Sequence, residues 1–320
     1  MTYKQRIQVN LLKIFEVHLQ LSNMKKSNWN SNTIPDQSGK TIIITGATSG
    51  LGKEATKILS QKNARVIMAV RNTEKGATVK KEILHEDPNA SIDVKKLDLS
   101  SLSSIKQFAY TISKEYGTLD ILINNAGVMM CPYSTTEDEF EIQMGTNHLG
   151  PFALTGQLLP LLKKTPHSRI VNTSSIGHRK GNIDFSDVNW KDRKYKTINA
   201  YCDSKLANLY FTYELAEKLK EGTPSVIAAH PGWTKTDLQR HSSIFRFLNP
   251  FFSQTVKDGV LPTLRAATDP DAISGEFYGP SRFREMHGSP IKVRSNDLSH
   301  NKEAAKKLWA ASEKLTKITY

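Results

Sequence analysis

Long hydrophobic runs are missing from this sequence. A membrane-spanning helix needs roughly 18 or more consecutive apolar residues. The nearest approach, Val9–Leu21, is broken by Asn10, Lys13, Glu16, His18 and Gln20, and it lacks the small-residue cleavage site of a secretory signal. Cysteine is scarce too. Cys131 and Cys202 are the whole supply, too few for a disulfide framework and wrongly spaced for a metal. The expectation is a protein with no membrane span and no metal site, in a reducing, cytoplasmic compartment. Asn172-Thr173-Ser174 spells a glycosylation acceptor, but it falls in an apolar, strand-like run rather than an exposed loop.

Also absent is any basic run interleaved with aromatics, and any zinc or helix-turn-helix signature, so nucleic acid is not an expected partner. The net charge of +13 is dispersed, with Lys53/Glu54, Lys80/Lys81/Glu82 and Lys302/Glu303 mixing signs. Such a surface is soluble, and its positive balance suits a cofactor bearing several phosphates.

With 320 residues and 38% hydrophobic content, the chain can bury one large α/β core or two small ones. Residues 1–39 are polar and carry one weakly amphipathic segment, read as a loosely ordered extension with a peripheral membrane helix as the alternative. Met24, just before Lys25-Lys26, offers a second start, which leaves open whether residues 1–23 belong to the native protein. From Lys40 onward, β-branched runs alternate with amphipathic segments. Strands are predicted at Thr41–Thr45, Arg65–Val70, Ile92–Leu97, Asp120–Asn124, Arg169–Thr173, Ser225–Ala229 and Gly275–Gly279. Helices are predicted at Leu51–Lys62, Thr73–His85, Ser101–Tyr116, Thr136–Lys164, Asn199–Lys220, Val256–Ala267 and Lys302–Lys317. Apolar strands separated by helices imply a parallel sheet covered on both faces. The expected fold is a single doubly wound α/β Rossmann domain over residues 40–320, with a seven-stranded parallel sheet, a substrate lid near residues 233–258 and a closing C-terminal helix.

A sheet of this kind binds ligands beyond the carboxyl ends of its strands. The first strand runs into Thr45-Gly46-Ala47-Thr48-Ser49-Gly50-Leu51-Gly52, where glycines and a helix N-terminus can receive a pyrophosphate. Gly46, Thr48, Ser49, Gly50, Leu51 and Gly52 are the candidate contacts. Gly52-Lys53 is not the end of a nucleoside-triphosphate loop, because Ala47 and Glu54 break that pattern. The second strand ends in Arg71-Asn72 with no acid to hold a ribose 2′-OH. A guanidinium there can pair with a 2′-phosphate, which favours NADP(H) over NAD(H). Asp98 and Leu99 follow the third strand, and Asn125, Ala126 and Gly127 follow the fourth.

Tyr201 and Lys205 lie four residues apart at the start of a helical pattern, so both face one way. The ammonium is expected to lower the phenol pKa toward working pH, so that Tyr201 exchanges a proton while hydride moves. Ser174-Ser175 after the fifth strand and Asn147 in the preceding helix supply further polar groups.

The ordered set Thr-Gly-x3-Gly-x-Gly, Asn-Asn-Ala-Gly, Asn147, Ser-Ser, Tyr-x3-Lys and Pro-Gly resembles the short-chain dehydrogenase/reductase family over about residues 40–280. The resemblance implies Tyr201 as general acid/base and Lys205 as its tuner and a ribose ligand. It implies Ser175 holding the reacting oxygen, and Asn147 anchoring a water that relays protons to Lys205. Pro231, Gly232, Thr234 and Thr236 would complete the cofactor loop, with Thr236 at the carboxamide. Tyr201-Cys-Asp-Ser-Lys-Leu-Ala-Asn, His230-Pro-Gly-Trp, Arg71 and a 25-residue interval between Ser175 and Tyr201 resemble the retinol dehydrogenase and protochlorophyllide reductase-like branch. Against membrane-bound retinol dehydrogenases stands the want of an N-terminal anchor.

Specificity is expected from Val128–Tyr133, Ile176–Ile198 and the aromatic segment Trp233–Phe252. The implied enzyme is an NADP(H)-dependent oxidoreductase interconverting a carbonyl and an alcohol on an apolar small molecule. Hydroxysteroids and pigment precursors are rival substrates, and a homo-oligomer stays open. The alternative from another class is a non-catalytic dinucleotide-binding sensor or regulatory protein, which could dispense with Asn147, Ser175, Tyr201 and Lys205.

Overall fold

A computed structural model describes residues 29–219, 223–235 and 253–320. Strands β1 (Thr41–Thr45), β2 (Arg65–Val70), β3 (Ser91–Lys96), β4 (Ile121–Asn124), β5 (Arg169–Thr173), β6 (Ser225–Ala229), β7 (Phe277–Arg282) and β8 (His287–Lys292) form one sheet. Its order is β3-β2-β1-β4-β5-β6-β7-β8. The helices are α1 (Gly50–Ser60), α2 (Thr73–Glu86), α3 (Leu102–Glu115), α4 (Gly150–Lys164), α5 (Thr197–Lys218), α6 (Leu261–Thr268) and α7 (Lys302–Thr316).

The run Ile42-Ile43-Ile44 shows why the strands are continuously apolar. Ile42 and Ile44 pack with Ala55 and Leu59 of α1, whereas Ile43 packs on the other face with Ile105 of α3 and Phe152 of α4. Side chains alternate across a strand, so a sheet covered on both faces needs apolar residues at every position. Helices α1, α2 and α6 cover one face; α3, α4, α5 and α7 cover the other.

The sequence predicts seven parallel strands; the described sheet has eight, and β8 runs antiparallel to β7. His287-Gly-Ser-Pro-Ile-Lys292 lacks a β-branched run and contains Gly288 and Pro290. Proline is tolerated at a sheet edge, where no neighbour needs its amide hydrogen. The helix predicted from Thr136 starts instead at Ile142. Before it, the Thr136 and Phe140 backbones pair in a turn, and the Glu141 side chain accepts from the Gln143 and Met144 amides at 2.9 and 2.7 Å. The helix then widens into a π turn, Gly145–Leu149, before α4. The predicted helix Val256–Ala267 divides into Val256–Gly259 and α6.

Residues 29–39, assigned from the sequence to the polar extension, lie against the domain: Ile34 joins the core, and the Gln37 amide donates to the Lys62 carbonyl at 2.7 Å. Residues 1–28 lie outside the described residues. Asn172 is buried, accepting from Asn124 at 2.9 Å and donating to Thr212 at 3.1 Å, so it is no glycosylation acceptor. No helix among the described residues is long and apolar enough to cross a membrane.

Helix α7 is fastened by aromatics. Phe152 stands 5.2 Å from Trp309 and 4.9 Å from Tyr320, whose hydroxyl donates to the Phe152 carbonyl at 2.6 Å. Removing a fully buried ring leaves a cavity that neighbours fill only in part. Phe152→Ala therefore lowers stability by about 3–5 kcal/mol, read as a fall in the urea midpoint with an unchanged slope.

Candidate functional site

Strands β1 and β4 are neighbours whose chains continue toward opposite sides of the sheet, so a crevice opens beyond their carboxyl ends. A groove of about 390 Å³ lies there. Of the sequence-predicted contacts, Gly46, Thr48, Ser49, Gly50 and Leu51 line its glycine-loop side. Arg71, Asn72, Asp98 and Leu99 line the far end, and Asn125, Ala126 and Gly127 the floor.

The groove fits a nicotinamide dinucleotide by its close approaches. Gly46 has φ of +70°, and a Cβ on it would lie 2.9 Å from Ala126. Gly52 lies behind the groove; a Cβ there would meet the Gly46 carbonyl at 2.4 Å and the Asn125 amide at 2.7 Å. Ser49 caps α1 in extended conformation without a side-chain cap bond, leaving the first helical N–H groups available to a phosphate. Asn72 caps α2, its side chain accepting from the Lys75 amide at 2.8 Å. That cap sets Lys75 beside Arg71 in the groove wall, and Lys96 donates to the Arg71 carbonyl at 2.6 Å. Asp98 is engaged by the Ser100 amide and hydroxyl at 2.9 and 2.6 Å.

The catalytic candidates meet beside the floor. Asn147 sits in the π turn, where its side chain accepts from the Val128 amide at 2.7 Å and donates to Val128 carbonyl and Ser204 hydroxyl, each at 2.9 Å. Both N–H groups of that amide are thus engaged, and its oxygen accepts one bond. The Lys205 ammonium donates to the Thr173 carbonyl at 3.2 Å and stands 5.7 Å from the Tyr201 ring centroid. Ser175 caps the turn that follows β5, accepting from the Gly177 amide at 3.1 Å. Met129 packs on Tyr201 and Cys202, which gives the phenol an apolar neighbour.

Burial works against the lowering of the phenol pKa that the spacing suggests. Burial pushes Tyr201 up to about 12, and a hydrogen bond with Ser175 opposes it. Burial likewise brings Lys205 down to about 8. In each case burial disfavours the charged form. At neutral pH both groups hold their protons.

Pro231, Gly232 and Thr234 form one loop after β6. The Thr234 hydroxyl and the Gln254 amide both donate to the Pro231 carbonyl, at 2.7 and 2.6 Å. Thr236 and most of the predicted lid, residues 236–252, lie outside the described residues.

Several residues escaped the sequence reading. Lys75 was findable, as a basic residue in the first turn of the helix that follows Arg71. Glu141 and Gln143 were hidden by the overlong helix, and Tyr195 was not singled out within Ile176–Ile198. The Tyr195 hydroxyl donates to Glu141 at 2.7 Å, and Gln143 donates to Tyr195 at 2.8 Å while accepting from the Met130 amide at 2.7 Å. This triad ties the Met129–Tyr133 loop to the long segment before α5. Asp203 lies between Tyr201 and Lys205 and holds that segment too, accepting from the Asn182 amide at 2.8 Å and facing Arg193 at 3.7 Å.

A family model described as short chain dehydrogenase matches residues 40–245. Human retinol dehydrogenase 13 is 42% identical over 294 residues, covering 88% of this chain and 85% of that protein. Among solved structures, an uncharacterized protein from Mycobacterium paratuberculosis is 38% identical with a TM-score of 0.78, covering 91% of this chain and 98% of that one. A short chain dehydrogenase from Shigella flexneri, solved in complex with NADP, is 28% identical with a TM-score of 0.61, covering 76% of this chain and 97% of that one.

Burial raises the Asp203 carboxyl from 3.8 to about 7. A carboxyl raised on folding stabilises the protein fully below its unfolded pKa, and that contribution is lost as pH rises through about 7. Asp203→Asn keeps an acceptor for Asn182 and removes the titration. The variant gains about 2–3 kcal/mol relative to wild type between pH 5 and pH 8, measured by urea unfolding at both values.

Proposed function

The chain belongs to the short chain dehydrogenase family, on its retinol dehydrogenase-like side, and on that premise we propose an NADP(H)-dependent reductase of apolar aldehydes or ketones. The observation that carries the reading is one cluster, buried at Tyr201 and Lys205 and half-buried at Ser175. Tyr201 and Lys205 on α5 and Ser175 after β5 come together, with the Lys205 ammonium beside Gly127 of the groove floor and Met129 against the phenol.

A bound nicotinamide would supply or accept the hydride. Proton chemistry falls to the chain. With a pKa near 12, Tyr201 is protonated at neutral pH and is set up to donate to a carbonyl oxygen. Ser175 shares a hydrogen bond with that phenol and is placed to hold the same oxygen. Lys205, near 8, stays cationic and favours the phenolate left behind. Met129, Met130 and Cys131, with Tyr133 standing 5.1 Å from Tyr195, give the substrate side an apolar wall. Two buried free cysteines accord with a reducing, cytoplasmic setting. Retinaldehyde enters the substrate panel because the named relatives are retinol dehydrogenases.

Tyr201→Phe lowers kcat for reduction of retinaldehyde or nonanal by roughly 10²–10⁴-fold, the usual contribution of a general acid. Undiminished turnover would exclude the mechanism, whereas NADPH binding without any carbonyl reduction by wild type would favour the sensor. For the cofactor, Arg71 and Lys75 face a groove end where β2 supplies no acid. A charge-assisted hydrogen bond contributes about 1.5–3 kcal/mol. Arg71→Ala thus cuts the NADPH-over-NADH ratio of kcat/KM by roughly 10–100-fold. A wild-type preference for NADH would overturn the assignment.

A further inference from the structure

The turn joining β7 to β8 adopts a conformation that side-chain-bearing residues avoid. Phe283, Arg284 and Glu285 have φ of +51°, +55° and +67°, three left-handed residues in a row. None is glycine, so the surroundings must hold them there. What they achieve is the placement of one carboxylate. Glu285 accepts from Arg179 at 2.6 Å through one oxygen and from His230 at 3.0 Å through the other.

Those two partners belong to the two loops that flank the site. Arg179 lies in the turn that begins at Ser175. Within that turn His178, wholly buried, donates from Nδ1 to the Ser175 carbonyl at 2.6 Å, and its Nε2 accepts from the Asn296 amide at 3.4 Å. His230 immediately precedes Pro231 and Gly232. Its Nδ1 accepts from the Gly232 amide at 3.2 Å, so its proton must lie on Nε2, the nitrogen that faces Glu285. A second strap runs alongside, the Trp233 amide donating to the Met286 carbonyl at 2.9 Å.

The packing leaves no slack. A Cβ on Gly279 would stand 2.1 Å from His230 Nε2, and one on Gly232 would stand 2.4 Å from the Met286 carbonyl. Phe277 lies against both imidazoles, at 5.5 Å from His178 and 5.1 Å from His230.

We propose that Glu285 is a positioning residue that fixes the Ser175–Lys180 turn and the His230–Thr234 loop relative to each other from the β7–β8 turn. One carboxylate fixes the His230 tautomer and therefore the Gly232 amide. The same carboxylate neutralises Arg179 and holds the turn that presents Ser175. The inference rests on the proposed function only for the identity of the cofactor; the coupling of the two loops stands without it.

The test compares wild type, Glu285→Ala and Glu285→Gln in the full chain. Amide exchange is followed by mass spectrometry without cofactor, and the Kd for NADPH by its fluorescence. The carboxamide oxygen of glutamine can still accept from His230, whereas the charge that pairs Arg179 is gone. With alanine, exchange should rise roughly tenfold or more in segments 175–181 and 230–234, while β1 and β4 remain as in wild type. The NADPH Kd should rise by about tenfold, as expected for loss of one anchored loop. Glutamine should restore segment 230–234 and the Kd to within about twofold, leaving 175–181 loosened. Unchanged exchange in both segments with alanine overturns the proposal, as does loosening spread evenly over the sheet. Equal behaviour of glutamine and alanine at 230–234 overturns the role given to the His230 bond. Should wild type bind NADPH yet reduce no carbonyl, the proposed function fails while the exchange results still decide the role of Glu285.

Discussion

At the carboxyl ends of β1 and β4 the sheet parts, and backbone groups there lose the ladder that satisfied them. Buried amides without partners are costly, and Thr45 supplies the remedy. Its hydroxyl oxygen accepts from the Asn125 and Ala126 amides at 3.0 and 2.9 Å, while the Asn125 side chain donates back to the Thr45 carbonyl at 2.8 Å. Four short contacts of side chain and backbone thus set the width of the crevice: these three bonds and the approach of Gly46 to Ala126. Because the floor is fixed in this way, α1 can begin where its free N–H groups face the groove, and Gly52 can pack against the loop it closes.

The same floor leads to the proposed chemistry. Beyond Ala126 and Gly127 the Val128 backbone is gripped on both sides by Asn147, whose amide also reaches Ser204 on α5. Ser204 lies beside Lys205, and the Ser174 hydroxyl donates to the Lys205 carbonyl at 2.8 Å. One hydrogen-bonded series therefore runs from the glycine loop through the π turn to the helix bearing Tyr201. A π turn offers its side chains at an offset a regular helix cannot reach, and here that offset lets Asn147 bridge β4 to α5. The groove floor and the proposed acid/base pair are thus placed by common contacts.

Sequence patterns disclosed the parts of this arrangement that rest on period and on glycine. Apolar runs located the seven strands of the parallel array because those strands are buried on both faces, and the glycine loop was legible because close backbone approach admits no other residue. Strand β8 was not legible, since an edge strand needs neither a continuous apolar face nor every amide hydrogen. The break at Glu141 was hidden because a carboxylate serving as a helix cap looks, in sequence, like one more polar residue of an amphipathic helix. Asp203, His230 and Glu285 were out of reach for a different reason. Their partners lie 21, 55 and 106 positions away, counting Asn182, Glu285 and Arg179, and no local spacing announces such pairings.

Burial explains why so much of the chain serves so small a cluster. Enclosure keeps Tyr201 protonated and holds Lys205 only modestly above neutrality, a combination suited to donating a proton. Yet desolvation also removes the water that could compensate for misplaced dipoles, so each polar group near the phenol must be held by protein. His178 and His230 illustrate the consequence. Both are forced neutral by burial and committed to a single tautomer by the amides and carbonyls around them. A solvated imidazole could exchange tautomers freely; these act as fixed struts between loops. The charge that orients His230 comes from Glu285, which keeps partial access to solvent and so carries its ionisation at a tolerable cost. The dry centre is thereby oriented by a wet edge, and the position of that edge is set by the strained turn of the antiparallel strand.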